Sequence, residues 1–189
     1  MRDRLQKWAP SEFLARHNPD VGLVMMRRGM TAGELAVNEA IPTLGHVAEQ
    51  YGDATAVAWL RIQLDAVDVV LGANAFGELA RHSAAQLILA KYRDVNVGNL
   101  LQFFTRFRCG EYNEAVEHIG GVQKIMTALR LYMITRDDDA RRVVRERETE
   151  RAYREREAWR EKAISYEEYL AIARLDAEYD KKNNSAEDS

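Results

Sequence analysis

Apolar residues recur at helical spacing along most of this chain and thin to isolated points near its C-terminal end. Ser11 is placed to cap a short helix through about His17, with Glu12 in its first turn. Pro19 after Asn18 opens a second short helix that runs to Arg28 and stops at Gly29, with Val21, Val24 and Met25 on one side. Thr31-Ala32-Gly33-Glu34 has the spacing of a capping box. The apolar positions after it are Leu35, Ile41, Leu44, Val47, Ala48 and Tyr51, and Pro42 among them predicts a kink or a break. Gly52-Asp53 ends that segment and starts the next, where Val57, Leu60, Leu64, Val67 and Leu71 keep one face. Arg61, Asp65 and Asp68 fall opposite and are expected to be a solvated ion-pair row. After the Gly72-Ala73-Asn74 connector, a helix from about Phe76 to Tyr92 is expected to point Leu79, Ala80, Ser83, Leu87, Ile88 and Ala90 inward.

The stretch from Arg93 to Arg136 holds the strongest pattern. Asn96 is placed to cap a helix from Val97 to Cys109, and Gly110 is a natural terminator. Leu100, Phe103, Phe104 and Phe107 form its apolar stripe, and three of the five phenylalanines lie within these five residues. Large aromatic rings bury the most area, so the core is expected to form around them. A short helix through Tyr112, Ala115, Val116 and Ile119, a break at Gly120-Gly121, and an apolar helix from Val122 to about Thr135 complete this part.

From Asp137 the chain changes character. Residues 141–163 carry nine basic and six acidic side chains, with Val143, Val144, Tyr153 and Trp159 as sparse apolar points. Asp137, Asp138 and Asp139 suit the start of a helix. The pairs Arg142–Glu146, Glu150–Arg154 and Arg151–Glu155 have i,i+4 spacing, so a long charged helix without a heptad seam is expected. Ser165 and Glu168 have capping-box spacing and open a last helix with Tyr169, Leu170, Ile172, Ala173 and Leu175. The reading is therefore all-α: a compact multi-helix core over residues 1–136, a charged helical extension over 137–180, and a disordered tail over 181–189, with residues 1–9 frayed. A chain ending at Arg136 is expected to fold by itself.

Composition narrows the classes. The chain has 189 residues, 47% hydrophobic and 30% charged, with three prolines and eleven glycines. That is too little punctuation for an all-β domain. The net charge of −3 argues against a general polyanion binder. One cysteine, Cys109, makes no internal disulfide and no cysteine-based zinc site. With no secretory apolar run and no membrane-length segment, a cytoplasmic protein is expected, with no membrane partner.

Ala58-Trp59-Leu60, Ala84, Ile88-Leu89 before Lys91-Tyr92, and Asn99-Leu100 lead into Phe103-Phe104-x-Arg106-Phe107-Arg108-x-Gly110-x-Tyr112. Together with Ile125, Leu129, Tyr132 and Arg136, this pattern resembles a family of small uncharacterised proteins. Those proteins are encoded by gut Bacteroidetes and by their phages and integrative elements. The resemblance covers about residues 54–136 and departs at Asn113-Glu114-Ala115-Val116-Glu117, where the family carries further aromatics and glycines. It implies an all-helical fold and a mobile-element setting, and no activity.

Candidate chemistry is sparse. No Gly-rich phosphate loop and no Gly-x-Ser-x-Gly elbow is present. His46 with Glu49, Glu78 with His82, and Glu114 with His118 share helix faces, but their spacing and order do not match a bundle di-iron site, so no metal and no cofactor is expected. Cys109 falls at the C-terminal end of a helix, where the dipole disfavours a thiolate. No enzyme is expected. Two readings remain. In the first, the protein is a non-enzymatic interaction or adaptor protein whose charged helix meets a protein partner through Val143, Val144, Tyr153 and Trp159. In the second, it is a nucleic-acid-associated accessory protein with Arg106, Arg108, Arg130, Arg136, Arg141, Arg142 and Arg145 on phosphates. Asp137–Asp139 count against the second, and the phenylalanines beside Arg106 and Arg108 are better explained as core.

Overall fold

The computed structural model describes residues 9–163 and 165–175. The expectations for frayed residues 1–8 and a disordered 181–189 lie outside the described residues. The fold is all-α, with no strand among the described residues. The helices are α1 (Pro10–Arg16), α2 (Pro19–Arg27), α3 (Ala32–Ala36), α4 (Leu44–Tyr51), α5 (Asp53–Leu71), α6 (Glu78–Lys91), α7 (Val97–Arg108) and α8 (Gly121–Lys162). Residues 166–175 are also helical and form α9. By packing, the chain divides into two compact units, one through Arg145 and one from Glu146.

Caps mark most of these boundaries. Asn18 accepts from the Asp20 amide at the start of α2, and Thr31 and Glu34 close the expected capping box of α3. The break at Pro42 is real. Thr43 caps α4, and His46, rather than a Glu or Gln, completes its box. Residues 42–45 and 93–97 then join as a short antiparallel contact, with amide-to-carbonyl distances of 2.7–2.9 Å through Leu44, Gly45 and Val97. This contact fixes the entries of α4 and α7 side by side.

Helix α7 is the centre of the first unit. It packs against α2, α3 and α5. The expected apolar stripe is there, with Phe103, Phe104 and Phe107 all buried. The opposite side is buried as well: Asn99, Gln102 and Thr105 are each at most 1% exposed. Phe103 lies 5.1–6.1 Å from the rings of Phe104, Phe107, Tyr112 and Tyr132. Such a cluster contributes beyond its buried area. Gly22 of α2 is required by this packing. A Cβ there would stand 2.0 Å from Thr105 Oγ1 and 2.8 Å from the Leu101 carbonyl oxygen.

Five expectations are corrected. Ser11 does not cap α1: Pro10 opens the helix after Ala9, with no side-chain cap, and Ser11 lies inside it. Helix α6 is turned by about half a revolution: Ala84, Ala85, Ile88 and Leu89 are buried, whereas Leu79 and Leu87 are 81% and 47% exposed and Ala90 is exposed. Asp68 is not part of a solvated row. It is buried, receives the Phe76 amide at 2.8 Å, and is ion-paired with Arg81, which also meets Asp65. The segment after Gly110 holds only a 3₁₀ turn, Glu114–Val116. Finally, Gly121 begins α8, and the helix runs through Asp137–Asp139 instead of starting there. Asp138 and Asp139 are tolerated in its interior because Arg141 and Arg142, three residues on, pair with them.

Candidate functional site

Three groups of residues bear on function, and only a buried polar set is held in one tight arrangement. The sequence showed Asn96 as a cap and Arg136 as a candidate contact, but not the network that joins them. Asn96 caps α7 through the Asn99 amide and donates to the Leu35 carbonyl at 2.7 Å. Asn99 donates to the Ala32 carbonyl at 2.9 Å and to the Tyr132 hydroxyl at 3.0 Å. Tyr132 donates in turn to Gln102 Oε1, and Gln102 Nε2 donates to the Met30 carbonyl. Arg136 closes the chain onto Asn99 Oδ1 at 3.3 Å. Burial pushes the Tyr132 hydroxyl well above its ordinary range, so it stays a neutral donor. Each of these groups is spent on α3, α7 or α8 and on the loop before α3. The network fixes register and leaves no reactive atom open. The three-residue spacing of Asn96, Asn99 and Gln102 in an otherwise apolar segment was the available signal.

The second group is the set of arginines. Arg106 lies over the Tyr132 ring at 5.9 Å and 3.8 Å from Glu111. Arg108 donates to the Pro19 carbonyl at 3.3 Å. Arg136 is paired with Asp137, Arg141 with Asp138, and Arg142 with Asp139. Arg145 donates to the Arg141 carbonyl at 3.3 Å, and Arg130 is exposed. At least four of these seven therefore already face a carboxylate.

The third group is the apolar set of the extension. Val143 is partly buried and Val144 is 42% exposed, both in the first unit. In the second unit Tyr153 is 63% exposed and Trp159 is 74% exposed. Within the second unit Tyr153 and Trp159 lie about 120° apart at 100° per residue, so the two do not share one narrow face. Glu150–Arg154 and Arg151–Glu155 pair as expected. In α9, Ser165 and Glu168 form the expected reciprocal cap, and Tyr166, Tyr169, Ile172 and Leu175 are exposed.

His46 is in the α4 cap, Glu78 is 3.3 Å from Arg61, and Cys109 is exposed at the end of α7. Among the described residues no three His, Cys, Asp or Glu side chains gather as metal ligands, and no helix is long and apolar enough to cross a membrane.

Over residues 79–182 the sequence matches a family of unknown function, DUF6633. The chain belongs to this family. The DUF6633 segment begins in α6, takes in α7 and all of α8, and continues beyond α9. The matched segment thus takes in the charged residues 137–162 of α8, while α1–α5 precede it. No curated protein and no solved structure matches the chain.

Proposed function

We infer that this DUF6633 protein is a non-enzymatic helical interaction protein of the cytoplasm, acting in the phage or mobile-element setting that its sequence resemblance implies. Its core orders the start of α8, and its extension offers apolar anchors in a charged surround to a protein partner. The observation that carries this reading is the exposure of Tyr153 and Trp159, at 63% and 74%, on a helix otherwise covered by Arg and Glu. Exposed large aromatics are typical contact anchors, because they bury much area for little lost rotamer freedom. The exposed Tyr166, Tyr169, Ile172 and Leu175 add anchors of the kind that an amphipathic helix lays into an apolar groove. That the family match includes this extension supports a shared role for it.

The nucleic-acid alternative is weaker. Arg106, Arg136, Arg141 and Arg142 each face a carboxylate, which a phosphate would have to displace. The test is affinity capture from the native host with the full-length chain, with and without nuclease. A defined protein retained after nuclease treatment is expected. Recovery that disappears with nuclease would instead select the nucleic-acid reading.

A further inference from the structure

Arg108 is an unusually placed cation. Arg16, Arg61, Arg81, Arg93, Arg136 and Arg160, among others, stand within 4 Å of a carboxylate. Arg108 is half-buried, and among the described residues its one polar contact is a 3.3 Å bond from Nη1 to the Pro19 carbonyl. Its Nε is buried and has no acceptor. That Nε is closed to solvent, but the guanidinium as a whole has no carboxylate within ion-pair distance among the described residues, so its positive charge is open to an anion.

The surroundings of Arg108 supply room for one. It lines a half-open cleft of about 390 Å³ within the first unit. That volume falls within the usual range for small-molecule sites. One wall is apolar: Val67, Val70 and Leu71 from the last turns of α5, with Phe107 from α7. The cleft is also lined by Gly110, Asn113 and Glu117 of the connecting loop and by Lys124 from the first turn of α8. Among the described residues Lys124 also has no carboxylate within ion-pair distance, and the positive end of the α8 dipole adds to its charge. Glu117 is exposed and is paired with neither cation.

We propose that this cleft binds a small organic anion, with its carboxylate or phosphate group between Arg108 and Lys124 and its apolar body against Val67, Val70, Leu71 and Phe107. This site is independent of the partner-binding extension. Recognition is by charge at one end and by area at the other. A bare inorganic ion lacks the second term, and a neutral analogue lacks the first.

The experiment is a titration of the full-length chain, followed by backbone amide NMR and by thermal shift. The probes are octanoate, phenyl phosphate, inorganic phosphate, and the neutral octanol and phenol. Saturable shifts of Val70, Gly110 and Asn113 with octanoate or phenyl phosphate are expected. Which of the two binds tighter separates a carboxylate source from a phosphate-ester source. Lys124→Ala should weaken that binding by about tenfold, the weight of one charge-assisted hydrogen bond. Val70→Asp, at a position 56% exposed, should abolish it by placing like charge on the apolar wall. These two variants carry the test even where Arg108→Gln fails to fold. Equal binding of the neutral analogues, inorganic phosphate binding as tightly as phenyl phosphate, unchanged affinity in Lys124→Ala, or no saturable shift at millimolar probe would each overturn the proposal.

Discussion

At the scale of single residues the structure makes sharp demands. Phe104 and Phe107 are 2% and 5% exposed, so Phe→Ala at either should destabilise by about 3–5 kcal/mol in denaturant melts. A loss under about 1 kcal/mol would place that ring outside the core. Gly33 is buried in α3, and a Cβ there would stand 2.5 Å from the Asp139 carbonyl carbon. Gly33→Ala must push α3 off α8 and should cost more than the same change at Gly120, which has open space around it. His17 gives a pH signature. Burial holds its imidazole below the ordinary value, aided by the charge of Arg16 and opposed by the bond to the Phe13 carbonyl. A carbonyl only accepts, so Nδ1 carries the hydrogen and Nε2 is the nitrogen that titrates. The folded state then binds fewer protons than the unfolded chain as pH falls below the unfolded value of about 6.5. Stability is fully present above that pH and declines below it toward the folded value. Melting temperatures of wild type and His17→Asn between pH 7.5 and 5.5 check this, with the flatter profile expected in the variant.

At the scale of elements, helix ends were legible and helix faces were less so. Asn96, Gly110, Thr31 with Glu34, and Gly52 announce their boundaries because capping and turn chemistry is local. The face of α6 was not legible. Its alanines and leucines are distributed all round, and the choice of Ala85 and Leu89 over Leu87 and Ala90 is made by packing against α5. Asp68 could not be placed without knowing that Arg81 and the Phe76 amide would reach it. The polar side of α7 was hidden for the same reason, since Asn99 and Gln102 find their acceptors near residue 30. The value of that network is measurable. Tyr132→Phe removes the hydroxyl that joins Asn99 to Gln102 and should cost about 1–3 kcal/mol, the usual penalty for stranded buried polar groups. A neutral Tyr132→Phe would mean that the two amides satisfy each other without it.

At the scale of the whole molecule, the change in composition near Asp137 is not where the first compact unit ends. That unit runs through Arg145, and the Asp139–Ala140 backbone against Gly33 lies inside it. A chain cut after Arg136 loses this contact, so residues 1–145 are the segment expected to unfold cooperatively alone, as thermal melts of the two truncations would show. From Glu146 the described contacts are exposed ion pairs such as Arg151–Glu155 and Arg160–Glu157, each worth about 0–1 kcal/mol and weakened by salt. What was legible here was the i,i+4 ion pairing of residues 150–155. A role for Tyr153 and Trp159 was not, because the exposure of two rings does not name what would cover them. If Tyr153 and Trp159 are exposed for a protein partner, removing their rings must remove that partner. Nuclease-treated host extract is passed over the full-length chain, over the Tyr153→Ala/Trp159→Ala variant and over residues 1–145. One defined protein is expected to be retained by the first and lost from the other two, with the helicity of the variant unchanged. Equal retention on all three would contradict it.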